Sequence, residues 1–262
     1  MTVKNYTLGR GKVYFSRFKT GTQTPEGFMY IGNTPEFSLT IESENLDHYS
    51  SDAGIREKDD SVPLEVTRTG SFITDDIQPD NVALFFFGSK STVTQAIVAS
   101  DDETFTDVVL GRSYKLGVTE SNPTGYMGIN SVGFAINNAA GSPSLLVEDV
   151  DYTVDLTNGI VTLLTTATGI VDGDDMVVTY AVAGSTRDRV ISGSTPVEGA
   201  MMYVANNPKG DNLNYYLPYV KITPNGDYAL KGDEWQQIPF SIEALKPTTG
   251  EAIYMDGTPV MS

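Results

Sequence analysis

The sequence predicts an all-β protein with one short helix. Three observations carry that prediction. Apolar and polar residues alternate with period 2 in several stretches, the pattern of strands with one buried and one wet face. Thr, Ser, Gly, Asn, Val and Tyr are prominent, the mixture that strands and turns require. One segment alone, 75–88 (DDIQPDNVALFFFG), reads as helix.

In chain order, 11–18 (GKVYFSRF) reads as a first strand and the Gly/Thr/Pro-rich 19–29 as a loop. Two alternating runs follow. Phe37, Leu39 and Ile41 point one way, and Glu36, Ser38, Thr40 and Glu42 the other. Farther on, Leu64 and Val66 oppose Glu65, Thr67 and Thr69. A charged connector of about residues 45–62 separates them, far longer than the ~2–5 residues of an ordinary hairpin loop. A compact domain keeps such a loop when something outside the monomer orders it. Asp80 is placed as helix N-cap, with Val82 to Phe87 as an apolar helix ending at Gly88 and packed on the apolar sheet face.

The character then changes. Residues 93–184 hold twelve acids against two bases, more than half of the chain's net charge of −17. Asn158-Gly159, between DYTVDL and IVTLL, signals a hairpin with a tight primed turn. Met176, Val178 and Tyr180 alternate again. This reads as a small β-sandwich inserted into the first domain. After residue 185 the first pattern returns in VEGAMMYVAN, NYYLPYVKIT and EWQQIPFSIEAL. Ile238, Phe240 and Ile242 form one face there, and Gln237, Ser241 and Glu243 the other. Pro224-Asn225-Gly226-Asp227 turns between two of these strands, and Trp235 opens the last one as a core anchor. The expected organisation is a discontinuous domain, 1–92 plus 185–262, interrupted by 93–184.

Composition excludes several classes. A net charge of −17 and a pI near 4.3 oppose phosphate-directed nucleic-acid binding and docking on anionic lipid. Hydrophobic content of 40% supplies a core, and 19% charge is too low for a disordered chain. With no Cys there is neither a disulfide framework nor thiol chemistry. No apolar run approaches a membrane span. The opening MTVKNYTLGRGKVYFSRF lacks the apolar region of a secretory signal, so synthesis and use from the cytoplasm are expected.

Catalytic and metal chemistry find little to work with. His48, the one histidine, sits in the charged connector, a poor place for a rigid triad, and one His without Cys is too few donors for zinc. Asp172-Gly173-Asp174-Asp175 lacks the spaced ligands and distal Glu of a calcium loop, and a hairpin turn explains it as well. No carboxylate pair stands out for glycoside hydrolysis, and no phosphate-binding glycine loop occurs. The expectation is a protein that is not an enzyme, with no cofactor and no metal.

IGNTPEFSLTIESENLDHYSSDAGIREKDDSV, the helix NVALFFFG and YLPYVKITPNGDYALKGDEWQQIPFSIEAL resemble, in kind and order, the major tail tube protein of long-tailed, siphovirus-type bacteriophages. The resemblance covers about two thirds of the chain, and the large insert departs from the simplest members. It implies a tail-tube β-sandwich that joins edge to edge into a barrel, in hexameric rings stacked as a tube. Implied partners are other copies, the tail tip or initiator, tape-measure and terminator proteins, and viral DNA passing through without specific binding. The implied location is the virion tail, assembled in the bacterial cytoplasm.

Strand alternation, read within that resemblance, then assigns roles. The apolar set of Phe37, Leu39, Ile41, Leu64, Val66, Ile238, Phe240 and Ile242 faces the helix and core. Glu36, Glu42, Glu65 and Glu243 are lumen candidates that repel phosphates. Asp47, His48, Asp52, Arg56, Glu57, Lys58, Asp59 and Asp60 form an inter-ring or inter-subunit loop, mobile in the monomer and ordered in the tube. Arg68, out of phase with its apolar neighbours, pairs with a carboxylate at an interface. The insert lies on the tube exterior. Two alternatives stay open: a surface β-sandwich module binding carbohydrate or a receptor, and a capsid decoration protein.

Overall fold

The computed structural model describes residues 6–52, 54–139 and 144–258. Residues 1–5 of the opening stretch and residue 53 of the charged connector lie outside the described residues. The chain is all-β with one short helix. It divides into two compact units, 1–91 with 189–262, and 92–188. The second division falls between 188 and 189, not between 184 and 185, inside the strand Ser185–Ile191.

The chain begins with β1 (Gly11–Arg17), β2 (Met29–Tyr30), β3 (Glu36–Ser50), β4 (Glu57–Thr74) and helix α1 (Pro79–Phe85), and leaves the first unit in β5 (Ser89–Gln95). The second unit contains β6 (Val98–Phe105), β7 (Ser113–Lys115), β8 (Ile129–Asn138), β9 (Ser144–Leu145), β10 (Tyr152–Asp155), β11 (Ile160–Leu163) and β12 (Met176–Val182). The return strand β13 (Ser185–Ile191) pairs with β5, and β14 (Val197–Ala205), β15 (Leu213–Pro224), β16 (Ile238–Ala244) and β17 (Tyr254–Gly257) complete the first unit.

The first unit is an eight-stranded antiparallel sheet in the order β2-β1-β14-β15-β16-β4-β3, with β17 added to β15. Its core collects Val13, Phe15, Phe72, Leu84, Met201, Val220, Ile222, Phe240 and Ile242, all buried. Residues directly opposite in an antiparallel pair share a face. Phe37 faces Phe72, and Phe72 faces Phe240, so one aromatic row crosses three strands. Phe72 and Phe240 stack with centroids 4.8 Å apart, and Phe85 of α1 meets Phe240 edge-on at 6.2 Å.

The helix starts two residues earlier than expected. Gln78 stands at the N-cap with no side-chain cap bond, and Pro79 opens the helix, its fixed φ suited to that place. Asp80 lies in the first turn and pairs with Lys90 at 3.0 Å. Phe87, with φ 52°, takes the left-handed position usually given to Gly. The bonds Phe87 N–H to Leu84 C=O and Gly88 N–H to Ala83 C=O form the Schellman closure around it. Gly88 is needed for a different reason: a Cβ there would lie 1.9 Å from the Ile191 carbonyl oxygen.

Three expectations about unit 1 are corrected. The connector 45–62 is not a long loop: β3 runs to Ser50 and β4 starts at Glu57, with paired residues out to Ser50↔Glu57. Trp235 neither opens a strand nor anchors the core; it is 92% exposed, because β16 starts only at Ile238. Pro224–Asp227 is the start of a longer loop, 225–237, not the whole turn.

The second unit holds a three-stranded sheet, β10-β11-β7, and a four-stranded sheet, β6-β12-β8-β9. Val161 and Leu163 from one and Ile136, Met176, Val178 and Tyr180 from the other share a single core. The Asn158-Gly159 turn is real but is not the two-residue primed form: Asp155 pairs with Ile160, four residues lie between, and of that dipeptide only Gly159 has a positive φ. The carboxylates of 172–175 are committed to the fold. Asp172 accepts from Leu110 N–H, Asp174 from Val171 N–H and Asn138, and Asp175 from Asp107 N–H. Asp151, almost fully buried, accepts from the N–H groups of Val147, Thr168 and Gly169 at 2.9–3.0 Å. Burial raises its pKa, those bonds lower it, and the bonds win, so it stays below the ordinary carboxylate value.

Candidate functional site

On the second face of the eight-stranded sheet, two polar cross-strand rows lie next to the row of Glu36, Ile73 and Pro239. The registers align Ser38, Ser71, Ser241 and Thr223 in one cross-strand row. The next row is Thr40, Thr69, Glu243, Lys221 and Glu198. Ser38 and Ser71 share a hydroxyl–hydroxyl hydrogen bond of 3.0 Å. No apolar side chain interrupts either row.

The four glutamates read from alternation fall on this face. Glu36 and Glu42 occupy the same phase of β3 as Ser38 and Thr40; Glu65 stands opposite Glu44, and Glu243 opposite Thr69. Sequence reasoning missed Lys221, between Glu243 and Glu198 and 3.7 Å from Glu198. It also missed Tyr219, whose hydroxyl pKa is raised by burial and by the adjacent Glu198. The period-2 pattern of YVKIT places Tyr219, Lys221 and Thr223 on one side and was the available signal.

Beyond Thr69, β4 has no neighbour but β3. The two strands continue as an arm of roughly 30 Å, taking ten residues of β3 at ~3.3 Å each. Two register shifts bend it, between Glu44 and Asn45 and between His48 and Tyr49. Both faces of the arm are open. Ile41, Leu64 and Val66 were assigned to the core from their phase; all three are exposed, because the sheet body ends before it reaches them. Leu46 and Val62, opposite each other, are also exposed, as are Tyr49 and Ile55.

The charged residues of the predicted loop line the outer end of this arm. Asp47 accepts from Lys58 at 2.6 Å and from Ser61 at 2.7 Å, and these bonds lower its pKa. His48 Nδ1 lies 2.6 Å from Asp59, with Asp60 opposite in register. Arg56 lies over the Tyr49 ring at 5.0 Å. Glu57 pairs in register with Ser50, and Asp52 sits in the tip. Arg68 stands opposite Ile41, and among the described residues no carboxylate lies within ion-pairing distance. Its expected partner is therefore absent from the described chain.

Where the arm leaves the body, an open groove of about 940 Å³ is lined by Phe37, Leu39, Ile41, Tyr203, Tyr215 and Ile253. Its rim carries Arg10 and Asp211. Among the described residues no three His, Asp or Glu side chains gather as a metal set. No helix among them is long and apolar enough to cross a membrane.

The arrangement is suited to surface chemistry: a wide polar wall, a long open strand edge and an uncovered apolar arm. No curated protein matches the chain. A family model matches residues 6–253, and the chain thus belongs to the family described as protein of unknown function UCP028589.

Proposed function

We propose that this chain is a structural subunit that polymerises, as stacked hexameric rings, into the tail tube of a long-tailed bacteriophage, a negatively lined conduit for DNA. The single observation that carries the proposal is the arm formed by β3 and β4. A two-stranded ribbon open on both faces is marginal by itself. This one exposes Ile41, Leu46, Val62, Leu64 and Val66 along its length. Exposed apolar groups of that extent mark an interaction surface. The groove beside Leu39 and Ile41 gives a second copy an apolar surface to pack on.

Two further features support the reading. The sheet ends in the 15-residue β3, an unpaired edge that invites aggregation unless a neighbouring copy closes it. The polar wall presents hydroxyls with Glu36, Glu42, Glu44, Glu65 and Glu243. Carboxylates there repel phosphates over a Debye length of ~8 Å, short enough to prevent adhesion without blocking passage. In this reading the insert lies outside the tube, where its acidity keeps tubes apart, and the subunit resides in the virion tail.

A non-enzymatic surface binding module is the second reading. It is favoured by the 92% exposure of Trp235, a residue type enriched at binding hot spots. Electron microscopy of the concentrated protein in negative stain separates the two. Hollow tubes or stacked rings support the tube. Monomers that persist after tail-tip components are added overturn it and leave the binding module.

A further inference from the structure

We propose that Asn225 is a site of spontaneous deamidation driven by the backbone nitrogen of Gly226, and that the fold protects the chain's other Asn-Gly pair, Asn158-Gly159, from the same reaction. The inference is independent of the assembly reading. The chemistry needs a following residue without a Cβ, a free amide side chain and room to close a five-membered ring. The Gly226 nitrogen, giving its proton to solvent base, bonds to Cγ of Asn225. The Cγ–Nδ2 bond breaks, and Nδ2 takes up one proton from water and leaves as ammonia. Water then opens the succinimide at either carbonyl, yielding aspartate or isoaspartate. No electrons are exchanged, and water is the co-reactant.

The two Asn-Gly pairs differ at each requirement. Asn225 and Gly226 are both exposed, at the start of the 225–237 loop. Asn225 N–H donates to the Pro239 carbonyl at 3.1 Å, which fixes the turn. Among the described residues its side-chain amide makes no hydrogen bond. A Cβ on Gly226 would find its nearest neighbour, Pro239 Cγ, only at 4.0 Å, so the ring closes in open space.

Asn158 is clamped. Its Nδ2 donates to Asp155 Oδ2 at 2.7 Å, and its backbone N–H to Asp155 Oδ1 at 3.0 Å. Its carbonyl accepts from Lys115. The position of a Gly159 Cβ is 2.5 Å from the Tyr126 carbonyl oxygen, and Gly159 C=O accepts from Leu116 N–H at 2.9 Å. Ring closure there must first break the bonds to Asp155. Each copy modified at Asn225 gains a negative charge, and the isoaspartyl product adds a backbone methylene to the loop that carries Trp235.

The test is timed incubation of the full chain in mildly alkaline buffer, followed by peptide mapping with isoaspartate detection. The expected result is the mass gain of an amide-to-acid change at Asn225. Asn158 lags by at least about tenfold, the factor that one retained charge-assisted hydrogen bond sets. In denaturant the two rates converge, and Asn225→Gln removes the fast signal. Absence of acid at position 225 overturns the proposal, as does native conversion of Asn158 at the rate of Asn225.

Discussion

Replacing Leu46, Val62 and Leu64 together by Ser separates the arm's part in assembly from its part in the fold. The three side chains are 62%, 52% and 60% exposed. Full burial of such a side chain contributes about 1.5–3 kcal/mol, so covering the open half contributes about 1–1.5 kcal/mol each. The sum, about 3–4.5 kcal/mol per arm, corresponds to about 150- to 2,000-fold in the association constant. The cost to the monomer is small, because the arm beyond Thr69 pairs only with itself and opens locally rather than with the body. The melting temperature of the monomer should fall by less than about 4 °C. Sedimentation across a concentration series reads assembly, and calorimetry reads the fold. Unchanged assembly would refute the reasoning about the arm. A large drop in melting temperature would refute the reasoning about the monomer.

Other substitutions probe particular contacts. Asp151→Ala removes the acceptor of three backbone N–H groups in the second unit and should cost about 3–5 kcal/mol in a denaturant melt. Since Asp151 is held below its ordinary value, its stabilisation is complete above the unfolded pKa of ~3.9 and is lost as pH falls through the lower folded one; acid titration of wild type against Asp151→Ala should show the difference vanish there. Gly88→Ala should destabilise the first unit by about 1–3 kcal/mol, because its Cβ meets the Ile191 carbonyl, and equilibrium unfolding measures it. Glu65→Gln relieves the Glu44–Glu65 opposition and should slow amide exchange in the arm by a factor corresponding to about 0.2–1 kcal/mol.

The strands of the body were legible because each has one wet and one dry face. Phe37 and Leu39, or Ile238 and Phe240, announce a core by alternating with Glu36 and Ser38, or with Pro239 and Ser241. The outer arm was illegible for the same reason inverted. ENLDHYS and EKDDSV are strands with two wet faces, so hydrophobic periodicity carries no signal, and two register shifts break what alternation remains. Leu64 and Val66 kept the correct phase, but phase says which face a residue is on, not whether anything covers it. Trp235 failed by a neighbouring rule: size and apolarity favour burial only if the backbone delivers the side chain to a core, and the loop 225–237 does not. Lys221 was visible in its alternation, but its two glutamate neighbours come from β14 and β16, and pairing across strands is not written in any one segment.

The polar wall also bears on the proposed assembly. A sheet selected only for its own stability would place opposite charges across from one another, as Lys221 does between Glu198 and Glu243. On the arm the same face sets Glu44 directly against Glu65, with Glu42 one step inward, and no cation intervenes in the register. Like charges facing each other cost stability, and the ribbon that bears the cost has no body beneath it. The apolar pair Leu46 and Val62 follows immediately beyond, equally uncovered. Acidic repulsion and uncovered hydrocarbon on one ribbon are each unfavourable in an isolated chain. In the proposed tube, neighbouring copies would cover the hydrocarbon, and the acids would keep the wall from adhering to a passing polyanion, so the repulsion is a stability cost that the assembly would have to offset.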